Sequence, residues 1–269
     1  RGLDVLEATA ALSGTRVSVV GLGTEFTGVG MKLRVLGAAL RRWRAALRGT
    51  AWARLVVCFV DAYDVAVLGT PDELLRVYAE QYAAADGAVV FNAETNCWPV
   101  WELQFAYAAD ARFAATTSRW RYLNSGVYMG GAERVHALFD QRVGDAYDDQ
   151  WYFVNRYLIG TYGIELDFDC RLFQTLWDSA DYLFADPYAH RVSNSATRSR
   201  PVLLHGNGPK DAFVVIVQRL FADYLPRYSR DDLREFGIAT ADDDAADDAA
   251  AAVAGDDQAD GFDDDQGGL

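Results

Sequence analysis

Residues Leu55-Val56-Val57-Cys58-Phe59-Val60 form an apolar run that stops at Asp61, with Asp64 three positions further on. So short a run, rich in β-branched residues, reads as a buried parallel strand rather than a core helix. In open α/β sheets, ligands bind just beyond the carboxyl ends of the strands. Two carboxylates at such an end are costly to desolvate unless something offsets their charge. A divalent cation carrying a diphosphate would do so. An Asp-x-x-Asp pair also caps helices and turns, so the strand-end context carries the functional reading.

The rest of the chain supplies the layers around that strand. Residues 2–12 have helical spacing, Arg16–Val20 reads as a short strand, and Gly21-Leu22-Gly23-Thr24 as a turn. Met31–Leu47 places Leu33, Leu36, Leu40, Trp43 and Leu47 on one helical side. Thr70 followed by Pro71-Asp72-Glu73 is a helix start: cap, proline in the first turn, acids at the positive end. Ala88–Asn92 is a second buried strand, and 93–121 is irregular and aromatic-rich. Tyr122–Gly130 reads as a strand broken by Asn124-Ser125-Gly126. Helices at 132–142, 149–161 and 211–224 frame a short strand at 164–168 and a late one at Pro201–Leu204. Strands alternating with helices predict an α/β fold with a mixed, mostly parallel sheet flanked by helices.

Composition divides the chain in two. Of a net charge of −14, eleven aspartates fall in residues 239–269, which hold no Lys or Arg, so residues 1–238 carry only −3. The acidic segment 239–269 has too little apolar area to offset its ordering entropy and is expected to be a disordered tail; 1–238 is the folded domain. No basic cluster is dense enough for nucleic acid. Arg41-Arg42-Trp43-Arg44 with Arg48 reads as a solvated helix face. No stretch approaches the roughly 20 apolar residues of a membrane span. The chain opens on Arg with no signal peptide and reads as a fragment or processed piece. Cys58, Cys97 and Cys170 form neither a disulfide framework nor a zinc pattern. Cys58 reads as a small buried hydrophobe, and a Cys97–Cys170 bridge stays open.

Four further clusters carry candidate chemistry. The late strand delivers His205 to the sheet edge where Asp61 is expected, followed by Gly206-Asn207-Gly208-Pro209-Lys210. A lone histidine is more often a satisfied core or surface group, but two glycines let backbone amides approach phosphate, and Lys210 could meet its charge. Two carboxylates plus one imidazole suit Mn2+. Asp148-Asp149-Gln150 stands before an aromatic helix, either as its cap or as a carboxylate at a reacting sugar. Asn124, inside an apolar strand, suggests a backbone opened for a ligand, or a simple bulge. Trp98 and Trp101 offer flat faces for sugar rings, or plain core. Tyr63, between the two aspartates, could stack on a base or merely pack.

These motifs, in this order, resemble the glycosyltransferase domain of the multifunctional procollagen lysyl hydroxylase/glycosyltransferases and their viral relatives. The resemblance runs from about residue 3 to 225. It rests jointly on Phe59-Val60-Asp61-Ala62-Tyr63-Asp64-Val65, Phe91-Asn92-Ala93-Glu94 with Cys97-Trp98-Pro99, Leu123-Asn124-Ser125-Gly126, Asp148-Asp149-Gln150, Arg171-Leu172-Phe173-Gln174 and His205-Gly206-Asn207-Gly208-Pro209. It implies a GT-A fold, Mn2+, a UDP-glucose or UDP-galactose donor, and a collagen-like hydroxylysine or glycosylated acceptor. On matching positions it implies that Asp61, Asp64 and His205 hold the metal and that Tyr63 stacks on the uracil. Lys32 would reach the donor phosphates. Asn207, Gly208 and Lys210 would line the diphosphate, and Trp98, Asp148 and Asp149 would face sugar and acceptor. A compartment in the endoplasmic reticulum lumen would follow from such an acceptor.

The sequence departs from the family in places. The family's first apolar strand, which supports the uridine, would lie ahead of Arg1. Phe26 and Val127 stand where the family has tryptophan and glycine, and the acidic run before Gln150 is short. The three histidines, His136, His190 and His205, include no His-x-Asp pair, so the family's iron-dependent hydroxylase half is not in this sequence. Two other classes remain open: a catalytically silent UDP-sugar-binding scaffold, and a different GT-A transferase with a glycan acceptor.

Overall fold

The structure, a computed structural model, describes residues 2–47, 49–82, 88–139 and 143–225. The acidic segment 239–269, Arg1 and Arg48 lie outside the described residues. The helices are α1 (Gly2–Leu12), α2 (Met31–Ala46), α3 (Thr50–Ala53), α4 (Pro71–Gln81), α5 (Leu103–Ala108), α6 (Ala111–Ala115), α7 (Ala132–Ala137), α8 (Asp149–Ile159) and α9 (Asp211–Phe221). The strands are β1 (Val56–Val60), β2 (Val65–Val67), β3 (Val89–Glu94), β4 (Tyr122–Gly131), β5 (Ile164–Leu166), β6 (Phe173–Thr175), β7 (Leu183–Asp186), β8 (Arg191–Asn194) and β9 (Leu203–His205).

Two sheets carry the architecture. The first has the order β1-β4-β3-β5, the second β2-β9-β6, and β7 and β8 form a separate hairpin. The α/β class and the mixed sheets flanked by helices agree with the sequence. The balance of strand directions differs: β3–β5 and β6–β9 are parallel, whereas β1–β4, β3–β4, β2–β9 and β7–β8 are antiparallel. β1, expected as a buried parallel strand, is instead an antiparallel outer strand.

The aromatic side chains explain the first sheet's core. Phe59, Tyr128 and Phe91 stack across three adjacent strands at centroid distances of 4.8 and 4.5 Å, and Phe153 of α8 closes on Phe91 at 4.9 Å. Leu33, Leu36 and Leu40 of α2 join this core as their helical spacing predicts. A second core joins the sheets: Val65, Val67, Phe173 and Leu203 meet Val90, Val127 and Met129, with Leu6 and Ala10 of α1. The far face of the second sheet is covered by α9 through Phe213, Val217 and Leu220.

Three local expectations change. Arg16–Val20 has no ladder partner among the described residues and does not join a sheet. Tyr122–Gly131 is one continuous strand; the break lies in its ladder with β3. There the register jumps from Phe91↔Tyr128 to Asn92↔Asn124, leaving Ser125, Gly126 and Val127 unmatched on that side. Cys58 is exposed rather than buried, because alternate β1 residues turn away from the core. It lines a groove of about 1230 Å³ with Val17, Leu22, Lys32, Tyr63 and Lys210. All three cysteines are free, so no Cys97–Cys170 bridge forms.

The α4 start behaves as read: the Thr70 side chain accepts from the Glu73 amide at 3.2 Å, with Pro71 in the first turn. The Arg41, Arg42 and Arg44 face is solvent-exposed. No helix among the described residues is long and apolar enough to cross a membrane.

Candidate functional site

The step from one sheet to the other builds the site. β1 ends at Val60, and the Asp61 amide donates to the Gly126 carbonyl of β4 at 2.8 Å. The chain then crosses to the second sheet, where Val65 of β2 pairs with His205 of β9 and the Gly206 amide donates to the Asp64 carbonyl at 2.7 Å. Asp61 thus closes one sheet, Asp64 opens the other, and His205 ends the strand beside it. One ligand atom from each of Asp61, Asp64 and His205 lies within 4.8 Å of the others. The bulge in β4 makes room for them. A Cβ on Gly126 would overlap the imidazole, 2.6 Å from Nε2, and sit 3.0 Å from Asp61 Oδ2.

Cations surround these carboxylates. Lys32 Nζ lies 2.9 Å from both Asp61 oxygens and 3.4 Å from Asp149 Oδ2. Burial opposes the Lys32 ammonium, but Asp61 and Asp149 outweigh it and raise its pKa. Lys210 Nζ donates to Asp64 Oδ2 at 2.7 Å and to the Gly206 carbonyl at 2.6 Å. Burial pushes the Asp64 carboxyl up, yet His205 and Lys210 outweigh that and hold it well below the usual carboxylate range. His205 Nε2 faces Asp64 at 3.5 Å, and its Nδ1 faces the Asn92 amide nitrogen at 3.4 Å. Asn92 Oδ1 is buried without a partner among the described residues. Turning that amide over would let the oxygen accept from Nδ1–H, which leaves the Nε2 lone pair for a metal. Two carboxylates and one imidazole, packed against a glycine, form a donor set that fits a divalent ion such as Mn2+.

The two candidate acids part company. Asp148 is the cap of α8 and accepts from the Trp151 amide at 2.7 Å. Asp149 turns inward instead, accepting from Ser125 Oγ at 3.0 Å and facing Lys32. Asn124 and Asn207 have internal partners for their amides. Asn124 accepts from the Gly126 amide at 3.0 Å and donates to Glu94 at 3.1 Å. Asn207 accepts from the Leu176 and Trp177 amides at 2.8 and 3.0 Å and donates to Glu94 at 2.9 Å. Gly208, at φ +75°, lies under the Trp177 ring, where a Cβ would stand 2.8 Å from Cζ3. Tyr63 is 66% exposed on the groove rim, and Trp98 is 52% exposed, with neither in the carboxylate–lysine cluster.

Glu94 is a member that sequence reasoning passed over. It is buried and accepts from Gln150 Nε2 at 2.7 Å as well as from Asn124 and Asn207. Burial pushes its carboxyl up against these three amide donors. It therefore ties β3, β4, α8 and the loop after β9 together behind the site. Asn92 and Glu94, two apart in an otherwise apolar strand, share one face, and that was the available signal.

A model of the PLOD GT domain matches residues 1–231. An uncharacterized protein, R699, of Acanthamoeba polyphaga mimivirus is 36% identical over 155 residues, covering 58% of this chain and 31% of that protein. The human multifunctional procollagen lysine hydroxylase and glycosyltransferase LH3 is 32% identical over 202 residues, 72% of this chain and 26% of that protein. The Caenorhabditis elegans multifunctional procollagen lysine hydroxylase and glycosyltransferase is 29% identical over 224 residues, 77% and 29% respectively. The matched region thus spans less than a third of each of these relatives.

Proposed function

This chain belongs to the PLOD glycosyltransferase-domain family, and from that premise we propose that it moves glucose or galactose from a UDP-sugar to a collagen-like acceptor. The acceptor would be a hydroxylysine or a sugar already attached to one. The observation that carries the reading is the convergence of Asp61, Asp64 and His205 beside Lys32 and Lys210, with both aspartates and both lysines lining the same groove as Tyr63. A procollagen acceptor would place the chain in the secretory pathway.

Asp61, Asp64 and His205 would hold Mn2+, which when bound supplies Lewis-acid stabilisation to the leaving diphosphate. The protein's own groups do the rest. Cleaving a glycosyl–phosphate bond leaves negative charge on UDP, and the Lys32 and Lys210 ammoniums stand within reach of the metal ligands to meet it. Removing one such preorganised interaction typically costs about 2.7–4 kcal/mol of barrier. The Asp149 carboxylate, oriented by Ser125, is the group available to orient the acceptor hydroxyl or accept its proton. Glu94 fixes the amides of Asn124, Gln150 and Asn207 and so the walls around it. Tyr63 offers its exposed ring to the base.

The test is Asp64→Ala, assayed by calorimetry with UDP and Mn2+ and by release of UDP from UDP-sugars with collagen-like acceptors. The variant should lose both Mn2+-dependent UDP binding and turnover. Turnover at the parent rate would refute the assignment, and binding without turnover in the parent chain would favour a silent sugar-nucleotide scaffold.

A further inference from the structure

We propose that Asp145 is a positioning residue that sets Lys32 against Asp149 by latching the start of α2 to the start of α8. The geometry of the latch stands on its own; only its consequence for turnover rests on the glycosyl-transfer reading above.

Lys32 and Asp149 come from different elements, Lys32 as the second residue of α2 and Asp149 as the first of α8. The Gly30 cap of α2 has no side chain with which to bond. Asp145 supplies the connection. Its Oδ1 accepts from Arg34 Nε and its Oδ2 from Arg34 Nη2, both at 2.8 Å, and Thr27 Oγ1 donates to Oδ2 as well. Its main-chain carbonyl accepts from the Gly30 amide at 2.9 Å. One residue therefore grips the chain before α2 and the first turn of α2, two positions from Lys32.

The backbones meet closely enough to demand glycine. Gly28, at φ +139°, lies against the Asp145 carbonyl with no room for a Cβ. A Cβ on Gly30 would lie 2.5 Å from the Gly144 carbonyl oxygen and 2.7 Å from that of Tyr147. On the other side of the latch, Asp145 is three residues from the Asp148 cap and four from Asp149. A sideways shift of either segment would move Lys32 relative to Asp149, and their ion pair at 3.4 Å is a direct side-chain link between the two helix starts.

Arg34, then Thr27, pull the Asp145 carboxyl down to about 2, so the latch keeps its charge at any ordinary pH. A lone exposed ion pair contributes little to stability. The fork geometry, the hydroxyl and the two glycines instead fix position, which is where a planar guanidinium differs from an ammonium.

A double-mutant cycle with Lys32→Met and Asp149→Asn, read by urea unfolding of the full chain, measures how strongly that pair is coupled. The cycle is run in the parent, in Asp145→Ala and in Arg34→Met. The coupling should fall by about half or more in both latch variants. In the same variants kcat for UDP-sugar turnover should drop about tenfold or more, with the melting temperature little changed. Coupling that is indistinguishable from zero in the parent, or equal in all three backgrounds, would overturn the latch. A parent chain without turnover would sink the glycosyl-transfer reading instead, and the coupling would still decide the role of Asp145.

Discussion

Gly126→Ala puts one methyl group into the middle of the candidate metal site. The added Cβ would stand 2.6 Å from His205 Nε2 and closer still to Cε1, against the 3.4 Å at which ordinary carbon contacts begin. The overlap with Nε2 alone is 0.8 Å, and Asp61 Oδ2 at 3.0 Å blocks relief on that side. The backbone cannot retreat freely, because the Gly126 carbonyl accepts from the Asp61 amide in the β1–β4 ladder. His205 must therefore swing away. Metal–ligand distances tolerate only about 0.2 Å, so the displacement takes the imidazole out of any shared shell. Overpacking of this kind costs about 1–3 kcal/mol of stability, which leaves a folded chain to measure. Even outer-shell substitutions cost about 10–100-fold in metal affinity, so loss of a ligand should reach the upper end of that range or beyond. Calorimetric titration of Mn2+ in the presence of UDP, beside a thermal melt, reads both effects. A folded Gly126→Ala variant that binds Mn2+ as tightly as the parent would refute the reasoning.

Other expectations test neighbouring parts of the account. Asp148→Ala should cost about 1 kcal/mol as a lost helix cap, whereas Asp149→Asn should cut turnover by a far larger factor than it changes the melting temperature. Asp167 is fully buried and accepts from the Arg171, Leu172 and Phe173 amides and the Tyr82 hydroxyl. Asp167→Ala should therefore destabilise by about 3–5 kcal/mol in urea, and a loss no greater than that of a surface substitution would contradict this. Arg191 forks onto Glu73 at 2.6 and 2.9 Å and holds its carboxyl below the usual range. A depressed folded pKa contributes stability that is present above the unfolded value and lost as pH falls through the folded one. The melting-temperature gap between the parent and Glu73→Gln should thus be larger at neutral pH than in acid; a gap that widens in acid would reverse the sign.

The parts of this molecule legible in the sequence were those fixed by local chemistry. Thr70-Pro71-Asp72-Glu73 starts a helix because capping and φ restriction act within one turn. Asp61, Asp64 and His205 could be brought together from the sequence because the aspartates follow one apolar run and the histidine follows another. Strand direction was not legible: the run at 55–60 is as apolar in an antiparallel outer strand as in a buried parallel one. Val65–Val67 and Phe173–Thr175 are three residues each, too short to display a period, yet they form the second sheet that carries His205. The division of labour between Asp148 and Asp149 was also hidden, since adjacent residues differ only in which way the helix start turns them. Glu94 and Asp145 act through partners 30 to 113 and 111 to 118 residues away, distances that one sequence cannot bridge.

The central claim is that Asp61, Asp64 and His205 share one metal ion that serves a UDP-sugar. Crystals grown with Mn2+ and UDP, measured at a wavelength where manganese scatters anomalously, test it most directly. The account predicts one anomalous peak bonded to a carboxylate oxygen of each aspartate and to His205 Nε2, in contact with the diphosphate. A UDP-bound structure with its manganese elsewhere, or with any of the three side chains outside the shell, would contradict it.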